Sequence, residues 1–342
     1  MNANDKLNLI VDGLDEVIGE KELISILQER DLKVYWGTAT TGKPHVGYLK
    51  PLLKLCQLLR AECEVTILFA DLHAYLDAMK SNWNDLKYRT IYYEQLIKKT
   101  LEVLGAPIDK LKFVKGSDYQ LSPEYTLNMY TLMSKMSLHD ALKSGAEVVK
   151  QSRDPKMASL LYPGLQALDE QFLEVDAQFG GVDQRKIFML ADKYLPKLGY
   201  KKRIHLMNPM ISSFSSNDSG KMSSSEDDKI DLLDTPKKIK KKISKAYCEE
   251  GNEKCGLLEF VELVLFPLCE FRKTIFSIKR KEEYGGDKDY TDYKELEKDF
   301  ISKDLHPGDL KKGITEWLVN LLEPVREHFK NEYLDNVTKN AY

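Results

Sequence analysis

At 342 residues, with a net charge of −3 and 42% hydrophobic against 31% charged residues, the chain has the make-up of an ordinary globular enzyme of about two domains. No run approaches the ~18 apolar residues of a membrane-spanning helix, and the near-balanced charge gives no global electrostatic argument for a nucleic-acid partner. The five cysteines, at positions 56, 63, 248, 255 and 269, form no Cys-x-x-Cys pair and are odd in number. That argues against a zinc site or a disulfide framework and predicts reduced packing residues.

Residues 1–31 read as a helical segment whose early acids do not suit a transit peptide, so the expected compartment is the cytoplasm. Next comes a β-branched and aromatic run that predicts a strand over 34–37, followed by a turn over 38–44. From His45 onward Val46, Leu49, Leu52, Leu53, Leu55, Leu58 and Leu59 recur at helical spacing, which puts His45 and Gly47 in the first turn of a helix. Free backbone N–H groups and the positive dipole end suit phosphate oxygens there. Gly47 lets a nucleotide approach without a Cβ in the way, and His45 can donate to charge developing on phosphate. A histidine at a helix start also occurs without any ligand, and these residues alone leave both readings open.

Further strands are predicted over 65–70, 112–115, 174–179 and 204–207, with helical patterns between them. Residues 122–150 form an inserted helical stretch marked by Met129, Met133 and Met136, which reads as core or as an interface. Within 162–172, Tyr162, Gln166 and Asp169 fall at i, i+4 and i+7 and so share one helical face. Leu165, Leu168 and Phe172 make that helix partly buried, so the phenol, amide and carboxylate need polar partners, from a ligand or an internal network. The Ser- and Gly-rich run 212–221 predicts a loop tipped by Lys221, which opens Lys221-Met222-Ser223-Ser224-Ser225. A lysine on such a loop can stabilise departing pyrophosphate in the transition state, although most loop lysines only face solvent.

An acidic stretch over 226–234 then gives way to Lys237, Lys238, Lys240, Lys241, Lys242 and Lys245, with Thr235 and Pro236 as cap and first position of a helix. Five of these lysines, at 237, 238, 241, 242 and 245, make a stripe opposite Ile239, Ile243 and Ala246. Contact with a nucleic-acid backbone and plain solvation are both compatible with it. Beyond lie two strongly apolar helical stretches, 257–269 and 317–329.

Taken together, residues 35–48, 70–75, 161–169, 176–186, the Lys221 loop and 306–310 resemble the tyrosyl-tRNA synthetases of the archaeal and eukaryotic cytosolic kind, which are class I aminoacyl-tRNA synthetases. The likeness covers nearly the whole chain. It implies an α/β architecture: a Rossmann-like parallel five-stranded sheet with a helical insertion, followed by an all-α C-terminal domain. The implied units are a catalytic domain over 32–225, with a dimerisation insertion near 120–155, and an anticodon-binding domain over 226–342. The resemblance also implies a homodimer, with L-tyrosine, ATP with Mg²⁺ and tRNA(Tyr) as substrates and no protein-bound structural metal.

Residue by residue, the resemblance assigns Tyr35 and Asp169 to the tyrosine hydroxyl, and Tyr162, Gln166 and Gln184 to its α-amino end. ATP falls to Gly37, Ala39, His45, Gly47, Gly181, Asp183, Lys221, Met222 and Ser223, with Asp183 on the ribose hydroxyls and His45, Gly47, Lys221 and Ser223 acting in catalysis. Lys143, Arg185, Lys186, Tyr284, His306 and Asp309 are the implied tRNA contacts. The parallel sheet should bring Tyr35, Asp71 and Gln184 together at the strand C-termini. Tyr48 and Ser224 stand where the wider class often has His and Lys, and Ser224 leaves Lys221 with less cationic help. Neither an editing domain nor an appended RNA-binding domain is expected. Three rivals stay in view: a tryptophanyl sibling, a small-molecule nucleotidyltransferase and a non-enzymatic RNA-binding paralogue.

Overall fold

The computed structural model describes residues 1–77, 82–148, 156–214 and 229–342. Its sheet holds β1 (Glu16–Ile18), β2 (Lys33–Thr38), β3 (Glu64–Phe69), β4 (Leu111–Lys115), β5 (Ala177–Gly181) and β6 (Ile204–Asn208) in the order β1-β6-β5-β2-β3-β4. Strands β2 to β6 are parallel, as expected. The expected five strands become six because β1 adds antiparallel to β6, with Val17 opposite Leu206. At three residues β1 is too short to carry a readable alternation.

The chain builds outward from β2 through β3 to β4, then returns to lay β5 and β6 on the other side of β2. The order therefore reverses between β2 and β5, where Tyr35 pairs with Gln178. Side chains and loops at the carboxyl ends diverge at such a point and leave a crevice. Strand β5 starts later than 174–179 predicts. Glu174 has φ of 52°, and the Asp176 carboxylate is taken by Arg30 and the Lys33 N–H. That stretch is thus a connection, and the strand proper runs on into Gly180 and Gly181.

The helices α1 (Ala3–Val11), α2 (Glu20–Glu29), α3 (Leu49–Arg60), α4 (Asp71–Leu76) and α5 (Trp83–Leu104) accompany the first half of the sheet. Buried Lys54 of α3 donates to the carbonyls of Leu9, Ile10 and Asp12, so it closes the end of α1 that no side chain within α1 caps. The insertion supplies α6 (Pro123–Lys135) and α7 (Leu138–Ser144), followed by α8 (Met157–Phe172) and α9 (Arg185–Tyr194). Met129 packs on Gly164 of α8, where an added Cβ would lie 2.9 Å from the Met129 Cε, so this methionine is core. Leu127 and Tyr130 on the outer side of α6 stay exposed.

The C-terminal part comprises α10 (Pro236–Lys245), α11 (Gly256–Phe260) running through a π-helical turn into α12 (Phe266–Arg272), α13 (Tyr293–Ile301), α14 (Pro307–His328) and α15 (Glu332–Ala341). It is not wholly helical as expected: β7 (Phe276–Ile278) and β8 (Lys288–Tyr290) form a hairpin. Phe276 and Ile278 alternate inward over Gly313 of α14, a pattern of only two apolar positions that the sequence could not separate from a loop. On α10, Ile239 and Ile243 are fully buried as predicted, but Lys242 leaves the exposed stripe to pair with Asp234 at 2.6 Å.

Candidate active site

At the strand-order reversal lies a cavity of about 330 Å³. Of the residues assigned to tyrosine or ATP, every one among the described residues lines it: Tyr35, Gly37, Ala39, His45, Gly47, Tyr162, Gln166, Asp169, Gly181, Asp183 and Gln184. Lys221, Met222 and Ser223 lie outside the described residues. Asp71 does not join the cavity lining. Its carboxylate instead accepts from the backbone N–H of Leu72 and from the N–H and hydroxyl of Ser117, fixing the turn after β4.

The deep end is built around Asp169, which is fully buried. Its Oδ1 accepts from Tyr119 Oη at 2.7 Å, Gln120 Nε2 at 2.8 Å and Tyr125 Oη at 3.0 Å. Among the described residues its Oδ2 has no partner. Burial pushes the carboxyl up to about 7 even though the three hydrogen bonds pull the other way. Tyr35 donates to the Gln166 carbonyl at 3.3 Å and shares the cavity with Asp169. Burial, reinforced by the Asp169 charge, raises its phenol well above the ordinary tyrosine range, so it remains a donor. Tyr119, Gln120 and Tyr125 were not foreseen. They sit some forty to fifty residues before Asp169 in sequence, and only tertiary packing joins them to it.

Next along α8, Gln166 Nε2 donates to Gln184 Oε1 at 2.7 Å, joining the two amides expected at an amino group. Tyr162 meets the edge of His73 with ring centroids 4.6 Å apart. His73, also not foreseen, is buried in the cavity wall, and burial lowers its pKa to about 4, which keeps it neutral.

At the other end, His45 caps the short helical turn Val46–Tyr48 that leads into α3. Its Nδ1 accepts from the Gly47 N–H at 3.2 Å, which leaves the proton of the neutral ring on Nε2. Burial lowers the His45 pKa to about 4, so the ring is neutral at physiological pH. Tyr48 is held by Thr38 Oγ1 at 3.2 Å and by edge contacts with Trp36 and Tyr93. Gly181 leaves room for the Asp183 and Met210 side chains, since a Cβ there would lie 2.5 Å from Asp183 Oδ1 and 2.9 Å from Met210 Sδ and would displace them. The chain that re-enters at residue 229 is stitched to the first signature: Val46 N–H donates to Ile230 O at 2.8 Å, and Leu232 N–H to Pro44 O at 3.0 Å. Residues 230–232 are thereby anchored beside His45, although the two stretches are far apart in sequence.

The implied tRNA residues lie outside the cavity. Arg185 is locked to Glu16 by two contacts of 2.7 and 2.9 Å, and Lys186 pairs with Glu147 at 2.6 Å. Lys143 is exposed on α7 and Tyr284 is 61% exposed after a short turn. His306 caps α14 through Nδ1, which accepts from Gly308 N–H at 3.0 Å, and Asp309 lies in the first turn of that helix.

Comparison with known proteins gives this geometry its family. The chain is 58% identical to the cytoplasmic tyrosine–tRNA ligase of Danio rerio over the whole of this chain, which spans 64% of that relative's length. It is 49% identical to the cytoplasmic tyrosine–tRNA ligase of Saccharomyces cerevisiae, covering 97% of this chain and 86% of that one. The crystal structure of the Archaeoglobus fulgidus tyrosyl-tRNA synthetase complexed with L-tyrosine superposes with a TM-score of 0.85 at 35% identity, covering 96% of this chain and 99% of that one. The family model for class I tRNA synthetases of the tryptophan and tyrosine type matches residues 27–323, and the chain belongs to that family.

Proposed function

We propose that the chain is a tyrosine–tRNA ligase acting in the cytoplasm, as its relatives' names have it. Tyrosine carboxylate attacks the α-phosphorus of ATP, giving tyrosyl-adenylate and pyrophosphate, and the terminal ribose of tRNA(Tyr) then takes the tyrosyl group. Mg²⁺ enters with the triphosphate as part of the substrate. No protein nucleophile is needed, because positioning and charge stabilisation supply the rate.

The observation that carries the tyrosine assignment is the state of Asp169. One oxygen accepts from Tyr119 and Gln120 and shares the Tyr125 proton with the Leu165 carbonyl, and among the described residues the other is buried without a partner. A para-hydroxyl completes that acceptor, with Tyr35 beside it; phenylalanine leaves it desolvated and unpaired. An indole N–H is also a donor, so what favours tyrosine over the tryptophanyl rival is the 58% and 49% identity to tyrosine–tRNA ligases. Tyr162, Gln166 and Gln184 take the amino group. Neutral His45 donates from Nε2 to the phosphates, Gly47 and Gly181 allow close approach, Asp183 takes the ribose, and Lys221 with Met222 and Ser223 stabilises the departing pyrophosphate.

The catalytic unit is read as 32–225 with its insertion near 120–155, and the anticodon-binding unit as 226–342. Exposed Leu121, Leu127, Tyr130 and Leu138 around α6 offer an apolar face for the homodimer. Lys143, Arg185, Lys186, Tyr284, His306 and Asp309 are the proposed tRNA contacts, with Arg185 and Lys186 exchanging their carboxylate partners for phosphate. The test is tyrosine-dependent pyrophosphate exchange, run in parallel with phenylalanine and tryptophan. Exchange with tyrosine alone is expected. An Asp169→Ala variant should lose about 10- to 100-fold of the preference for tyrosine over phenylalanine, the worth of a hydrogen bond to a charged group. Unchanged selectivity would reject the pocket assignment.

A further inference from the structure

One polar side chain in the cavity has no role in the account above. Asn208 is the last residue of β6, directly opposite Gly181 in register, and is 3% exposed. Among the described residues neither its Nδ2 nor its Oδ1 has a hydrogen-bond partner, and it lines the cavity together with Pro209, Met210 and Ile211. A buried carboxamide with both ends unsatisfied is costly, so what fills the cavity here must present an acceptor and a donor side by side.

Sheet order indicates which part of the ligand reaches it. The groups proposed for tyrosine sit on β2 and α8, Gly181 and Asp183 follow β5, and β6 lies beyond β5. A tyrosyl-adenylate laid from Asp169 across Asp183 therefore brings its base to the end of β6. Pro209, Met210 and Ile211 supply apolar contact for a planar ring, and a carboxamide matches the edge of adenine, whose exocyclic N6 amino group donates next to an accepting ring nitrogen.

We propose that Asn208 reads the purine, with Oδ1 accepting from the N6 amino group and Nδ2 donating to the adjacent ring nitrogen, so that the site selects adenine over 6-oxopurines. The inference rests on the adenylate-forming reading. The adjacent nitrogen is N7, as in bidentate asparagine–adenine pairs; inosine triphosphate presents two acceptors on that edge, its 6-oxygen and N7, so the carboxamide can pair with only one of them whichever way it is turned.

The experiment compares ATP with inosine triphosphate in tyrosine-dependent pyrophosphate exchange for wild type, Asn208→Ala and the near-isosteric Asn208→Asp. Titration calorimetry of both nucleotides serves wherever turnover is lost. The wild type should favour ATP, and either substitution should narrow that preference by about 10- to 100-fold, with the melting temperature and the KM for tyrosine unchanged. An ATP preference equal to wild type in both folded variants overturns the proposal and leaves the amide to water. A wild type inert in exchange with every nucleotide sinks the adenylating function instead, and the calorimetric ratio then judges Asn208 separately.

Discussion

The chain starts two helices with the same three-residue device. His45-Val46-Gly47 and His306-Pro307-Gly308 both place histidine in extended backbone, and both use its Nδ1 to accept from the N–H two residues on, at 3.2 and 3.0 Å. The local chemistry is shared; the surroundings are not. His45 is 6% exposed and faces the cavity at the sheet's switch point, whereas His306 is exposed at the start of α14. Capping is thus a property of the motif, while access to a triphosphate is a property of where the fold aims it. For His45, the cap and the proposed donor to phosphate are one arrangement: occupying Nδ1 with the cap commits the proton to Nε2.

The largest expected effect tests that separation. His45→Ala should lower kcat for tyrosine-dependent pyrophosphate exchange by about 10² to 10³, the usual cost of losing one donor to a transition-state charge. His45→Asn retains a side-chain oxygen able to cap, while its amide N–H reaches less far than Nε2, so it should recover stability and not rate. His306→Ala should leave exchange untouched. Equal losses at the two histidines, measured in the same assay, would break the comparison.

How far the sequence carried the site follows the same division between local and distant. Periodicity placed Tyr162, Gln166 and Asp169 on one face, and the strand–turn–helix run set His45 and Gly47 at a helix start; both are short-range patterns. Tyr119, Gln120 and Tyr125 escaped because their meaning arises only when the turn after β4 and the start of α6 pack against α8. Asp71 was placed at the correct strand end, yet which way its side chain turned depended on Ser117, a contact no spacing encodes. β1 and the β7–β8 hairpin were missed because three residues hold too few alternations to register.

A second prediction concerns pH, and it assigns the neutral-range titration to Asp169 and not to His45. His45, at about 4, is already neutral above pH 5, whereas the free enzyme's Asp169 changes charge near 7. On the proposed assignment ionised Oδ2 accepts from the substrate hydroxyl, so the KM for tyrosine should fall as pH rises through about 7. Removing one phenol, in Tyr125→Phe, withdraws a bond that favours the charged form and should move that midpoint up by about one pH unit. The titratable groups facing Asp169 among the described residues are Tyr35, Tyr119, Tyr125, Tyr162 and its neighbour Glu170, none of them a cation that would offset the change. The sign for stability is opposite. The folded carboxyl keeps its proton above the ordinary 3.8, so its contribution is complete below that value and is lost as pH rises through about 7. Asp169→Asn should flatten the fall in unfolding free energy between those limits, and a KM profile flat across pH 6–8 in wild type would remove Asp169 from hydroxyl recognition.

The smallest effect isolates the cap itself. If His306 only closes the start of α14, then His306→Ala should cost about 1 kcal/mol of unfolding free energy, in the range for lost N-caps, and His306→Asn should restore most of it. That restoration is the informative part. Asparagine supplies an accepting oxygen at a similar reach but no aromatic ring, so a base-stacking role at His306 would not be recovered by it. Denaturant unfolding measures the first property and the KM for tRNA(Tyr) in aminoacylation the second. Stability and tRNA affinity rescued together would reduce His306 to a helix cap, whereas stability rescued with the tRNA KM still raised would give its ring a separate purpose, as the cavity does for His45.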